Sequence, residues 1–391
     1  MSDSNSCTRA TLLLAAEGHA RDLHERVLAP LRRTFVGKQE VVDVLGVCLV
    51  ASEHAFLFGP PGTAKSAIVN ELSRRIDGQV FSYLLTRFTE PSELFGPFDI
   101  RKLRDGELVT NTEGMLPEAS MVFLDELLNA NSAILNSLLT VLNERVFRRG
   151  RESRQLPLLM VVGASNHLPE DDALGALFDR FLLRVVCDNA PQDRLADVLH
   201  AGWRLESSER EHPETLSIAS IRALHQALLH VQLHDVHAAF VGLVQALRRA
   251  GIQVSDRRAV KLQRVVAASA LLAGRAVALP SDLWVFRHIW DTEEQREVLA
   301  SLVRDAMGPL DGEAVHPAAR HADHPDPEEL ARDLEQLANE RERAVADDAL
   351  RARWMDRLRA LAARCEWVDG EESRAVLQSR VEELWAAMPS E

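Results

Sequence analysis

Residues 55–76 read AFLFGPPGTAKSAIVNELSRRI: four apolar residues, a turn rich in glycine and proline, then a run with helical spacing. A strand, a glycine-rich turn and a helix in that order build a loop whose backbone N–H groups converge on phosphate, aided by the positive end of the helix. Gly59, Pro60, Pro61, Gly62, Thr63 and Ala64 would form the cradle. Lys65 would reach the β- and γ-phosphates, and the Ser66 hydroxyl would hold Mg2+. Ala64 stands where glycine is usual; its methyl is costly only if the position needs a positive φ, and a helical φ would accept it.

Further strand-like runs follow at VFSYLL (80–85), MVFL (121–124), LLMVVGA (158–164) and FLLRVV (181–186), separated by helical segments. Each is almost continuously apolar, as in a parallel strand covered on both faces, and the alternation predicts a three-layer α/β sandwich with a parallel sheet. MVFL delivers Asp125 and Glu126 to its C-terminal end, where such sheets place their ligands. Asp125 suits Mg2+, held through water or Ser66, and Glu126 suits polarising an attacking water. The next strand ends in Asn166, able to hold that water or sense a γ-phosphate. Arg180, in ALFDRFLLR, sits at a helix-to-strand junction and could neutralise transition-state charge from a neighbouring subunit; a salt bridge to Asp179 is the rival reading.

With 391 residues, 46% hydrophobic and 27% charged, the chain can bury a sizeable core in two or three domains. A helical pattern from Thr11 to Arg33 sets an N-terminal segment and helix at 1–33, ahead of the α/β core at 34–200. From about Leu216 the strands stop, and SIASIRALHQALL, HAAFVGLVQALRRA, RAVKLQRVVAASALLAG and DLWVFRHIW predict an all-α domain at 205–307. Gly274 reads as a C-terminal cap there, and Ser281 or Asp282 as an N-cap after Pro280. Residues 308–326, rich in Pro, Gly, His and Asp, read as a solvated linker. Apolar stripes at Leu330, Leu334, Leu337, at Leu350, Trp354, Leu358, Leu361, and at Val376, Val381, Leu384, Trp385 predict a C-terminal helical hairpin or three-helix unit over 327–391.

A net charge of -14 and 5% aromatic residues disfavour nucleic acid and anionic lipid as broad partners. Cys7, Cys48, Cys187 and Cys365 are scattered without a CxxC pair, as expected of reduced thiols. No apolar stretch reaches the roughly 20 residues that a membrane span needs, and the N-terminus carries acid where a signal peptide carries base, so a cytoplasmic protein is expected. His225, His230, His234 and His237 read as ordinary histidines, with Asp235 as an N-cap among them.

The order FLFGPPGTAKS, YLLTRFTEPSELFGPFDI, GMLPEASMVFLDE, AILNSLLTVLNER, VVGASNHLPE, LFDRF and VSDRR (254–258) resembles the AAA+ ATPases, within them the MoxR family, and most closely its RavA branch. The resemblance spans roughly Val27 to Trp290. It implies Walker A at Gly59 to Ser66, Walker B at Asp125 and Glu126, sensor 1 at Asn166 and a trans-acting finger at Arg180. It also implies sensor 2 at Arg257, with Arg258 as a substitute, and treats Ala64 as tolerated variation. The activity implied is Mg2+-dependent ATP hydrolysis by a homo-oligomer, a hexameric ring that remodels, activates or matures a client, beside a separate von Willebrand factor A (vWA) domain protein.

The stretch 90–118 matches the family's insert in the second helix, a hairpin facing the pore. Arg101, Lys102 and Arg104 there, and Arg148, Arg149, Arg151 and Arg154 further on, form basic loops that contact an acidic client or simply face solvent. Asn129 stands where many relatives have a basic residue, and the tail after 308 has no obvious room for the β-rich domain of the RavA branch. Two rival readings stay open: an ATP-dependent scaffold with little turnover, and a DNA-associated motor.

Overall fold

The computed structural model describes residues 2–104, 109–149, 152–169, 171–190, 194–207, 214–308, 315–320, 327–345, 348–365, 368 and 371–387. Helix α1 (Ser2–Asp22) passes through a π turn at Leu23–Leu28 into α2 (Ala29–Thr34). It begins well before Thr11, because the polar run SDSNSC offers no apolar spacing to read. Helix α3 (Gln39–Ala51) turns at Ser52, in a left-handed conformation (φ 58°), and leads into β1 (Ala55–Phe58) and, past the glycine-rich loop, α4 (Lys65–Arg74). Then come β2 (Ile76–Asp77), β3 (Val80–Leu84), α5 (Pro91–Phe95), α6 (Ile100–Arg104), β4 (Met121–Asp125) and α7 (Ser132–Glu144). The antiparallel pair β5 (Val146–Arg149) and β6 (Glu152–Gln155), β7 (Met160–Ser165), α8 (Asp172–Phe178), β8 (Leu183–Val186), α9 (Leu195–Ser207) and β9 (Leu216–Ser217) complete the α/β part.

Five strands make one parallel sheet in the order β3-β4-β7-β1-β8. Strand β7 therefore lies between β1 and β4, with Phe58 opposite Ser165 and Leu124 opposite Gly163. Phe56, Leu57, Val122, Leu124, Val162, Leu183 and Val185 are all buried, as the apolar runs demand. The Phe56 ring meets Phe178 and Phe181 edge-on, with centroids 4.9 and 5.7 Å away. Strand β3 departs from the expectation of two covered faces. It is an edge strand, and Val80, Ser82 and Leu84 are exposed along one side.

Helices α10 (Ile218–Leu228), α11 (His234–Arg249), α12 (Asp256–Leu272) and α13 (Gln295–Met307), with a 3-10 helix at Pro280–His288, form the all-α part. Gly274 ends α12 with φ 70°. Asp282 does not cap the 3-10 helix from outside; it sits inside its first turn and accepts from Leu279 N (2.8 Å), Ser269 Oγ (2.6 Å) and Arg275 Nη1 (2.9 Å). Fully buried, it has its two oxygens met by these donors in place of water. Leu233, not Asp235, holds the N-cap position of α11.

The two parts are locked by charge. Arg184 of β8, wholly buried, donates to Asp291 and the Trp290 carbonyl and lies over the Phe178 ring at 4.0 Å. Arg258 of α12 reaches the same carboxylate at 3.3 Å. Part of the predicted linker is also structured: α14 (Pro317–Arg320) follows His316, whose ring stacks on Trp284 at 5.0 Å and is 2% exposed. His321 and His324 lie outside the described residues.

Residues 321–391 form a separate compact unit. Its helices α15 (Pro327–Val345), α16 (Asp348–Cys365) and α17 (Glu371–Ala386) close a core of Leu330, Leu334, Leu337, Trp354, Leu358, Leu361, Leu377, Val381 and Leu384. Leu350 and Val376 were expected in that core but are 43% and 66% exposed. Among the described residues no helix is long and apolar enough to cross a membrane.

His54 carries a pH signature. Its Nδ1 accepts from Val161 N (3.1 Å) and its Nε2 donates to the Leu142 carbonyl (3.2 Å), so the neutral ring is satisfied in a fully buried site. Burial first, then Arg145 and Lys261, push its pKa down to about 3. The unfolded chain binds this proton more readily, so its contribution to stability is complete above about pH 6.5 and falls as the pH drops toward 3. Between pH 7 and pH 5 the wild type is expected to lose about 2 kcal/mol more stability in urea unfolding than His54→Gln. Equal losses would mean that the ring takes its proton inside the fold.

Candidate functional site

The turn from β1 into α4 forms by close approach. Gly59 has φ 150°, and a Cβ there would lie 2.3 Å from the Cys187 carbonyl oxygen beyond β8. Gly62 has φ 85°. Ala64 does not take the helical φ that would have made it harmless: it is left-handed, at φ 67° and ψ 17°, as N-cap of α4. For an L-residue this costs about 1–2 kcal/mol. Thr63 Oγ1 donates to the Pro60 carbonyl (2.9 Å), while Pro60 and Pro61 face solvent. Lys65 is 7% exposed, its ammonium folded onto the carbonyls of Gly59 (2.6 Å) and Pro60 (2.8 Å).

Ser66 Oγ donates to Asp125 Oδ2 at 2.9 Å, joining the first turn of α4 to the end of β4. Asp125 Oδ1 accepts from Glu126 N (3.1 Å). A hydroxyl and a carboxylate side by side are hard oxygen donors of the kind Mg2+ takes, one or two at a time, while keeping its waters. Glu126 is left-handed as well, at φ 50° and ψ 44°. The buried Leu127 and Leu128 that follow draw the chain into the core and leave Glu126 to make the bend. Strain of this kind gathers at functional turns.

Asn166 follows β7 and is exposed at the same sheet edge, between the loop after β1 and the end of β4. His167 Nδ1 lies 2.9 Å from its Oδ1 and 3.2 Å from Ser165 Oγ, an orienting contact that the sequence reading did not single out although His167 is the next residue. Lys38, at the N-terminus of α3, is the other residue passed over.

Arg180 and Arg257 are not brought to this edge. Arg180 lies three residues before β8, at the N-terminal edge of the sheet, and one strand of four residues separates the edges by about 10 Å. Its Nε donates to the Ala176 carbonyl (3.3 Å), and Asp179 stands at 3.9 Å, a long ion pair. Arg257 lines the same shallow cleft as Arg180, with Leu142, Ser255 and Lys261, and donates to Asn143 Oδ1 (3.1 Å). Arg258 is committed elsewhere, to Asp291 and to the Gln253 and Ile289 carbonyls.

Among the described residues of the insert are α5, α6 and an antiparallel bridge between Phe98 and Thr110. Two of the basic residues hold it in place. Arg149 donates to the Gly96 carbonyl (2.6 Å) and stacks over Phe98 at 4.0 Å, and Arg154 donates to the Pro117 carbonyl (3.2 Å). Arg101, Lys102 and Arg104 are exposed, Arg148 pairs with Glu144 (2.7 Å), and Arg151 lies outside the described residues. Asn129 ends a short 3-10 turn after Glu126.

Replacing Ala64 by Gly removes the left-handed penalty and returns part of it as unfolded-chain entropy, so Ala64→Gly is expected to stabilise by about 1 kcal/mol in urea unfolding. A less stable variant would show that the alanine backbone is unstrained.

Comparison with known proteins bears on the fold and the family. Residues 21–226 match a family described as the MoxR domain in the MoxR-vWA-beta-propeller ternary systems, and residues 234–303 match an AAA lid domain. Two uncharacterized proteins of Methanocaldococcus jannaschii are 35% identical over 283 residues (72% of this chain, 73% of theirs) and 33% identical over 307 residues (72% and 81%). The chaperone MoxR1 of Mycobacterium tuberculosis is 24% identical over 287 residues, 68% of this chain and 74% of its own. A crystal structure of a candidate ATPase from Cytophaga hutchinsonii superposes with a TM-score of 0.62 over 77% of this chain and 98% of that one; at 18% identity it shows a shared fold. The RavA likeness rests on the sequence motifs alone. With its phosphate-type loop on a five-stranded parallel sheet and a helical lid behind it, the chain belongs to the MoxR family of AAA+ ATPases.

Proposed function

We propose that this chain is a Mg2+-dependent ATP hydrolase that works as a head-to-tail ring, hexameric as the resemblance implies, and remodels or matures a client protein in the cytoplasm. The observation that carries the reading is the division of the site between two edges. The loop from Gly59 to Ser66, Asp125, Glu126 and Asn166 share one edge, while Arg180 and Arg257 share the other. A single chain cannot close both onto one nucleotide, but a heterologous contact between copies can.

In this reading Gly59 and Gly62 open the loop so that the backbone N–H groups of residues 62–66, the two prolines having none, face the phosphates. Lys65 leaves its carbonyl partners for the β- and γ-phosphates, an exchange that costs it two hydrogen bonds and returns an ionic contact. Ser66 and Asp125 would hold Mg2+, which when bound neutralises charge on the β- and γ-oxygens. The Glu126 carboxylate orients and polarises the attacking water, and Asn166, braced by His167, steadies it. Arg180 of the next subunit meets the charge that develops on the γ-phosphate, with Arg257 beside it. The family description names vWA and β-propeller components, which supports separate chains of those kinds as partners.

Glu126→Gln is expected to keep ATP binding while turnover falls about 100-fold or more, measured as phosphate release. Unchanged turnover would sink the role given to Glu126. The trans arrangement has its own measurement. Arg180→Ala and Lys65→Ala are each expected to lack turnover, yet an equimolar mixture should regain activity at about one interface in four, the share that random assembly gives an intact loop facing an intact arginine. No recovery in rings shown to be mixed would place Arg180 outside the reaction.

A further inference from the structure

The basic residues of this chain are almost all arginine. Of 45, only four are lysine: Lys38, Lys65, Lys102 and Lys261. Lys261 pairs with the buried Glu53 (2.6 Å), Lys102 is exposed on α6, and Lys65 belongs to the loop already described. Lys38 is left, and it is 7% exposed.

Its place follows from the connection between α3 and β1. The helix turns back at Ser52–His54 and enters β1 directly, so it runs against the strand and its N-terminus stands at the edge where β1 gives way to the Gly59 loop. The turn before it is fixed by Gly37 (φ 74°), by Lys38 N donating to the Phe35 carbonyl (3.1 Å) and by the buried Phe35 ring. The groups that act on the Lys38 charge are Cys187, Asp188 and Lys65. Cys187 is the residue whose N donates to the Phe58 carbonyl (2.7 Å) and whose own carbonyl abuts Gly59. Among the described residues the Lys38 ammonium has no hydrogen-bond or ion-pair partner. Burial holds its pKa below the ordinary lysine value, with Lys65 adding to the effect and Cys187 and Asp188 opposing it.

A lysine so enclosed, beside a second lysine and with Asp188 acting on it only from beyond ion-pair distance, costs the free protein stability unless a ligand supplies a closer charge. We infer that Lys38 is a second cation of the nucleotide site, donating to a phosphate oxygen of bound ADP or ATP. Lys65 approaches the phosphates from the loop that wraps them, whereas Lys38 approaches from the N-terminus of α3, where the first unpaired N–H groups of that helix add to the same field. The inference rests on the nucleotide reading above.

Isothermal titration with ADP and with ATP, on the full chain, tests it. Lys38→Met is expected to weaken both nucleotides about ten- to hundredfold, the range for a hydrogen bond to a charged group. Its thermal stability without nucleotide should equal or exceed the wild type's, since a buried ammonium held in no ion pair has been removed. Affinities within twofold of the wild type, in a wild type that binds, would overturn the assignment of Lys38 alone. A wild type that binds neither nucleotide would overturn the site reading and Lys38 with it. If the variant does not fold, reductive methylation of the wild type read by mass spectrometry decides the question: ADP is expected to protect Lys38 and Lys65 and leave Lys102 unchanged. Protection of Lys65 without Lys38 would count against the inference.

Discussion

Because β3, β4, β7, β1 and β8 all run the same way, every loop that leaves their C-terminal ends arrives at one edge of the sheet, and every segment that enters them arrives at the other. The molecule's chemistry is sorted by that direction. Exits from β1, β4 and β7 bring the glycine-rich loop, the Asp125–Glu126 pair and Asn166 together without any of them being near in sequence. The approach to β8 carries Arg180 to the far side. The interposition of β7 matters as much as the shared direction: with β1 and β4 as immediate neighbours there would be no strand end from which Asn166 could stand between them.

Much of this was legible in the sequence, for a physical reason. A strand covered on both faces must be apolar at every position, so AFLF, MVFL and the run ending in VVGA announce themselves. The loop and the acidic pair were legible because glycine, lysine and carboxylate are needed at fixed places after those strands. What escaped depended on surroundings. The pair β5 and β6 has only Val146 and Phe147 as apolar residues among Arg, Glu, Ser and Gln, too few to set an alternating pattern, and Arg149 and Arg154 brace the insert. His316 looked like part of a polar linker until the Trp284 ring gave it a surface to stack on. Leu350 and Val376 fit their helical stripes by spacing, yet they lie on the margin where spacing alone cannot tell core from solvent. The conformation of Ala64 could not be read from its identity, since alanine is common in helices and rare in the left-handed region it occupies here.

Ala64 and Glu126 share that region, and both stand at the start of a helical turn beside the Ser66–Asp125 contact. Two strained residues facing one hydrogen bond suggest a common origin: the backbone is bent so that α4 and the end of β4 approach closely, and packing of the buried Leu127 and Leu128 below holds the bend. The approach of Gly59 to Cys187 is the same theme on the other side of the loop, where glycine makes contact possible without strain.

The buried junction of Arg184, Asp291 and Arg258 has a bearing on heat. A guanidinium with no exposure cannot be left behind when its carboxylate departs, so the sheet and the helical lid are expected to absorb heat together in one sharp calorimetric endotherm. The three C-terminal helices close their own core of leucines and owe nothing to that junction. They are free to melt at a temperature of their own, and a second, smaller endotherm would belong to them.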